Sequence, residues 1–372
     1  MGSIKVQDVK NMGKLIKGIA FSSYIISLLL FSSTIGCSTM KNGKYDIIRN
    51  ISFSPDCKKL IFDRRTENYP YMLQVYDLES GELRAYRPPC GENWSQVRYS
   101  FDGKHLVLII EPIDGGKVDL SLLQIAVMDP DGNNIRKITH SKGFKVFPSF
   151  SHSGKKIIFA RADKIRDSGR TPASDYDVYE VDVETGQENR LTQFSFYQMS
   201  SPYYFPDDKK FIFWAEYPFS YTGTNTRSLS YEVEKMCKYR EIDYNRNEIY
   251  VMQGNESTLK PFIIFSDFSS CPLLSADGSI IIFLGKGYTP DGAHEGFQFY
   301  RYSANLNHHQ ITHINARRIW SEALSHNGEF LAAVYEPTES SEINKIVICH
   351  IKDGVSKMIT LPDYPSNFIN NP

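Results

Sequence analysis

The sequence predicts an all-β protein, a six-bladed β-propeller of four-stranded antiparallel blades. Three observations carry this expectation. A tight-turn motif recurs six times, as SPDCK (54–58), SFDGK (100–104), SHSGK (151–155), FPDDK (205–209), SADGS (275–279) and SHNGE (325–329). Each copy lies between two short apolar stretches, which reads as a strand, a hairpin turn and an antiparallel strand. The composition, 41% hydrophobic and 13% aromatic, favours strands and argues against disorder.

The first strand of each unit is a short stretch such as FPSF (147–150). Asp-Gly and its relatives accept positive φ and close tight hairpins, so the motif Asp is structural. The second strand follows as KLIFD, HLVLII, KIIFA, KFIFWA, IIIFL or FLAAV. A third comes next: MLQVYDL (72–78), QIAVMD (124–129), DVYEVD (177–182), EIYVMQ (248–253), FQFYRYS (297–303) and KIVICHI (345–351). A further turn, as in ESGELRAY, PDGNNIRKIT, ETGQENRLT or KDGVSKMIT, leads to a short fourth strand that often ends in Thr. Sheets this small bury both faces only when they pack radially on one another, and that requirement turns six repeats into a ring.

Residues such as FSPDCKKLIF with VYDLESGELRAY, and PSFSHSGKKIIFA with DVYEVDVETGQENRLT, resemble the PD40 (WD40-like) repeat of TolB-type propellers over roughly residues 46–361. Two turns depart from that pattern, with Cys57 and Asp208 where Gly is usual. The resemblance implies a cell-envelope theme of assembly or integrity. Fold alone does not fix function. Either residues 41–46 or the tail 362–372 is expected to supply an edge strand for ring closure.

Residues 1–37 read as an export signal, because Lys5, Lys10, Lys14 and Lys17 precede an apolar run from Ile19 to Ile35. Its end, TIGC (34–37), resembles a bacterial lipobox with Thr34 in place of the usual Leu, which implies lipidation of Cys37. An uncleaved single-pass anchor is the other reading. Ser38 stands where that pattern carries Asp for inner-membrane retention, which implies the periplasmic face of the outer membrane. Residues 38–45 form a short linker. The signal holds four of the 42 basic and one of the 43 acidic residues, leaving a net charge of −4 that offers nothing to nucleic acid. Cys57, Cys90, Cys237, Cys271 and Cys349 lack CxxC spacing and are expected to be mostly buried small apolar residues.

The connections 161–175, 216–247 and 285–296 carry nearly all the length beyond the basic repeat, and all three leave the same end of the ring. Loops on a rigid scaffold commonly carry binding residues. Arg161, Arg166 and Arg170 in blade 3, Tyr217, Phe219, Tyr221, Arg227 and Tyr231 in blade 4, and His294 in blade 5 are therefore the expected partner-binding residues. The competing reading is a loop that merely shields the channel.

No GxSxG elbow and no GxxxxGK[ST] loop occurs. In DPDGNN (129–134) the start of a calcium loop is mimicked, but the twelfth position is His140 and the flanks are strands, so a plain turn is expected. His309 and His313 would stand about 13 Å apart along a strand, too far to share an ion. His152 and His326, at turn positions, read as scattered surface histidines, and no metal or cofactor is expected. The sequence thus points to a non-enzymatic scaffold that binds a protein partner in the cell envelope. The alternative is a propeller that binds or cleaves acidic saccharides, as resemblance to oligogalacturonate lyases implies.

Overall fold

The computed structural model describes residues 46–66, 69–165, 172–216, 247–254, 256, 259, 261–263, 269–288, 294–304, 308–338, 345–362, 365 and 367–369. They form six antiparallel blades in chain order, a β-propeller. Blade 1 holds Asp46–Phe53, Lys59–Thr66, Tyr69–Asp77 and Leu83–Tyr86, from the axis outward. Blade 2 holds Glu92–Tyr99, Leu106–Asp114, Gln124–Met128 and Arg136–Lys137. Blade 3 runs through Phe144–Phe150, Lys156–Ile165, Ala173–Asp182 and Glu188–Arg190. Blade 4 is Gln198–Tyr204, Lys210–Glu216, Asn247–Gln253 and Pro261–Ile263. Blade 5 is Ser269–Leu274, Ile281–Tyr288, His294–Arg301 and His309–Gln310, and blade 6 is Ala316–Leu324, Phe330–Pro337, Lys345–His350 and Ser356–Ile359.

The second strand of each blade is packed on both faces: Leu60, Ile61 and Phe62, like Ile157, Ile158 and Phe159, expose none of their surface. This explains why these segments read as near-continuous apolar runs, since neighbouring blades cover both sides of the sheet. The wedge from blade 2 to blade 4 is the most aromatic, with Phe196, Phe211, Phe213 and Tyr250 in mutual contact.

All six motif turns share one geometry. The fourth residue donates its amide to the carbonyl of the first, at 2.8–3.0 Å in each. That fourth residue has positive φ: Cys57 59°, Gly103 71°, Gly154 71°, Asp208 51°, Gly278 72° and Gly328 72°. Cys57 and Asp208 thus adopt the left-handed conformation that Gly supplies in the other copies. Asp56, Asp102 and Asp277 each accept the hydroxyl of the first-position Ser, at 2.5, 2.7 and 2.7 Å, which confirms the structural role of the motif Asp. Residues 129–134 likewise form a turn, with Gly132 donating to the Asp129 carbonyl and Asn134 to its carboxylate, and the Tyr86 hydroxyl of blade 1 donating to the Pro130 carbonyl.

The recurring Thr has a structural explanation. Thr139, Thr192 and Thr312 donate to Gln124, Asp177 and Gln298 of the third strand and accept the next amide of that strand from Ile125, Val178 and Phe299. One hydroxyl therefore ties the end of a fourth strand back to its own blade.

Ring closure comes from the C-terminal tail. Asn367–Ile369 pairs in parallel with Leu83–Tyr86, adding a fifth strand to blade 1. Arg64, 3% exposed, holds Asp46 through two hydrogen bonds of 2.8 and 2.6 Å and donates to the Pro362 carbonyl at 2.8 Å. The amide of Ile51 donates to Ser321 Oγ of blade 6 across the closing seam.

Candidate functional site: the axial channel and its long-loop mouth

Every innermost strand carries a β-bulge near its middle. At the same repeat position stand Asn50, Gln96, Phe147, Ser201, Cys271 and Ser321, the first five with φ between 50° and 57°. A bulge frees backbone amides, and here neighbouring blades take them. Gln96 donates its amide to Asp63 at 3.0 Å, Phe147 donates to Gln96 Oε1 at 2.5 Å, and Ile51 donates to Ser321. The result is a polar belt around the axis.

Below the belt the axis is crossed by Arg98 of blade 2, whose guanidinium lies 4.5 Å over the Tyr203 ring of blade 4. Glu322 of blade 6 accepts from the Cys271 thiol and faces the charge of Arg98. It keeps some surface toward the channel, yet dense packing pushes its carboxyl up to about 6.

Above the belt, toward the long-loop mouth, the seam between blades 1 and 2 is charged. Asp63 is 1% exposed and accepts from Asn50 Nδ2 at 2.5 Å, and burial pushes it up to about 7, against the pull of its hydrogen bonds and of Arg49. Burial also raises Glu111, which accepts from Ser95. The guanidiniums of Arg49 and Arg65 lie 5.9 and 5.6 Å from the ring centre of Tyr71. Two protonatable carboxyls, two cations and a ring make this seam polar rather than apolar. Among the described residues no group of three His, Cys, Asp or Glu is placed to hold a metal ion.

Of the residues expected at the partner face, Arg161 is fully described. It donates to Asp163 at 2.9 Å, to Glu188 at 3.1 Å and to Ser141 at 3.2 Å, and lies 5.0 Å over the Tyr179 ring. Those partners anchor it to the seam between blades 2 and 3. His294 begins a strand at the same mouth. Arg166, Arg170, Tyr217, Phe219, Tyr221, Arg227 and Tyr231 lie outside the described residues, as do Cys37, the signal segment and the linker. Ile165, which directly precedes the blade 3 connection, is an exposed large apolar residue.

Two sequence expectations need correction. Cys271 and Cys349 are buried, but Cys90 is exposed and Cys57 is half-buried at a turn, with Sγ 3.6 Å from Asn327 Oδ1. His152 and His326 are not scattered on the surface either. They meet on the axis at the short-turn end, where Phe101 stacks on His152 at 3.7 Å and lies 5.3 Å from His326.

Asp63, Gln96, Arg98 and Glu322 were not among the sequence candidates, although an internal alignment of the repeats exposes Asp63 and Glu322. Asp63 occupies the position of Ile109, Ala160, Trp214, Leu284 and Val334, and Glu322 that of Pro148, Pro202 and Pro272. A charge where other copies are apolar is the available signal.

Neither a protein-family model nor a curated protein sequence matches the chain. Solved structures do. TolB from Acinetobacter baumannii superimposes with a TM-score of 0.57 at 18% identity, over 81% of this chain and 63% of that one. A manganese complex of an oligogalacturonate lyase gives 0.54 at 14% identity, over 85% of this chain and 78% of the other. The oligogalacturonate lyase from Vibrio parahaemolyticus gives 0.52 at 14%, over 89% and 84%. The chain therefore spans somewhat less than two thirds of that TolB, and at these identities the likeness is one of fold.

Proposed function

We propose that this chain is an exported propeller, lipid-anchored through Cys37 in the cell envelope, which acts as a non-enzymatic scaffold and binds a protein partner on its long-loop face. The observation that carries the reading is an asymmetry of the ring. The strand ends at Ile165, Glu216 and Tyr288, from which the three long connections leave, share one end of the ring with the charged seam between blades 1 and 2, while the six short turns meet at the other. Long connections leaving a polar end of a rigid ring suit recognition, and the Arg49, Arg65 and Tyr71 side chains at that end suit a partner's polar loop. The fold likeness to TolB supports an envelope setting.

The test is affinity capture from the protein's own cell envelope, comparing the mature chain with a variant lacking residues 220–245. Loss of a co-purifying protein with an unchanged urea midpoint is expected. Capture that survives the deletion would refute the assignment of the face. If no protein is captured and an acidic oligosaccharide or Mn²⁺ raises the melting temperature, the saccharide-active alternative is favoured instead.

A further inference from the structure

At the short-turn end, the second residues of the six motif turns are Pro55, Phe101, His152, Pro206, Ala276 and His326. Several touch across blades that are not neighbours. Phe101 of blade 2 meets His326 of blade 6, and His152 Nε2 of blade 3 lies 2.8 Å from the Ala276 carbonyl of blade 5. Such contacts are possible only over the axis, so these turn tips cap the channel. Ala276 in turn donates its amide to the His326 carbonyl at 2.9 Å.

The hydrogen bond to Ala276 fixes the tautomer of the neutral His152 ring. A carbonyl can only accept, so His152 Nε2 carries the hydrogen, and in the neutral ring Nδ1 holds the lone pair. That Nδ1 is buried without a hydrogen-bond partner, and so is His326 Nδ1. His152 Nδ1 stands 3.7 Å from Asp208 Oδ1. The Asp208 carboxylate is already engaged by the amides of His152 and Ser153 at 2.6 and 2.9 Å.

We propose that the His152–Phe101–His326 stack is an acid-sensitive stopper at the short-turn end of the ring, beyond the Arg98–Tyr203 crossing, closed while both imidazoles are neutral and released when both are protonated. A first proton on His152 finds Asp208, with the charge of Asp207 adding its attraction from the same blade 4 turn. A second, on His326, faces the charge of His152 and the uncharged ring of Phe101, with no carboxylate among the described residues to answer it. Burial holds both histidines below their ordinary range, and for His326 the charge of His152 adds to this. The sign follows: an open stopper takes up protons more readily than a closed one, so closure is complete above about pH 6.5 and weakens as pH falls below it. This device is independent of which partner occupies the opposite mouth.

Hydrogen exchange read by mass spectrometry on the mature chain tests it, following the peptide that contains Ala276. After correction for the intrinsic rate, exchange of that peptide is expected to rise at least about tenfold from pH 7.5 to pH 5. In H152Q/H326Q, whose amides cannot charge, the rise should vanish, and H326Q alone should remove most of it. Unchanged protection in the wild type between the two pH values would overturn the proposal, as would an equal rise in H152Q/H326Q.

Discussion

The two ends of the ring are held by different means. At the short-turn end the repeated turns fasten one another directly, by packing at some seams and, where the amides of His152 and Ser153 donate to Asp208, by hydrogen bonds. Gly103 packs where a Cβ would lie 3.3 Å from Pro55, and Gly278 where it would lie 2.8 Å from Pro206, each turn seated against its predecessor. At the long-loop end the fastening is polar and differs from blade to blade. Lys145, wholly buried, donates to the carbonyls of Leu123 and Ser141, Gln298 holds Thr312 and Ile314, and Asp177 ties blade 3 to the link that follows it. Packing on a repeated turn tolerates little variation, whereas a hydrogen-bonded hub can be built from several residue types. The end free to vary is also the one that carries the long connections.

The sharpest way to break this contrast is at Asp177, 1% exposed, which accepts from Arg190 at 2.5 Å, Thr192 at 2.6 Å and the amides of Phe194 and Ser195 at 2.8 and 3.2 Å. Removing the carboxylate strands four donors at once, and an unanswered buried donor costs far more than a hydrogen bond gains. Asp177→Ala is expected to cost about 3–5 kcal/mol by urea unfolding, and Asp177→Asn, which keeps one acceptor oxygen, clearly less. Equal losses in the two variants would mean that packing, not hydrogen bonding, secures this end.

The polar end should also reveal itself through pH. Asp63 is raised from 3.8 to about 7, so between those values the folded chain keeps a proton that the unfolded chain has released. Its contribution to stability is therefore full below about pH 4 and lost as pH rises through 7, a change on the order of 4 kcal/mol. Asp63→Asn stays neutral throughout. The difference in urea midpoint between wild type and Asp63→Asn should swing toward the variant from pH 4.5 to 7.5, and a flat difference would place the proton elsewhere.

How much the sequence discloses follows the same division. The short-turn end is legible because each blade must solve one geometric problem: six hairpins need a residue with positive φ at one position, and the motif repeats that solution even where Cys57 and Asp208 provide it. The long-loop end is less legible, because Gln124, Asp177 and Gln298 play one role with different side chains and left only a recurring Thr as a trace. Asp63 and Glu322 look like ordinary strand residues until the ring brings blades together. The stopper was hidden for a related reason. His152 and His326 are 174 positions apart, and strand periodicity says nothing of which turn tips meet over the axis.

A pair of glycines separates the steric fastening from the cost of the turn itself. Gly154 and Gly278 hold the same place in blades 3 and 5, with φ of 71° and 72°. Alanine at either site suffers the same left-handed strain, about 1–2 kcal/mol. A Cβ at Gly154 would meet nothing within 4 Å, but at Gly278 it would lie 2.8 Å from Pro206 Cδ and 3.0 Å from Cγ. The proline ring is stiff and belongs to the neighbouring turn, so the clash is relieved only by pushing two turns apart. Gly278→Ala should therefore cost about 1–2 kcal/mol more than Gly154→Ala by urea unfolding, as overpacking does in a tight core. If the two variants were equally stable, each turn would be an independent hairpin, and the short-turn end would owe its uniformity to local geometry alone rather than to contact between blades.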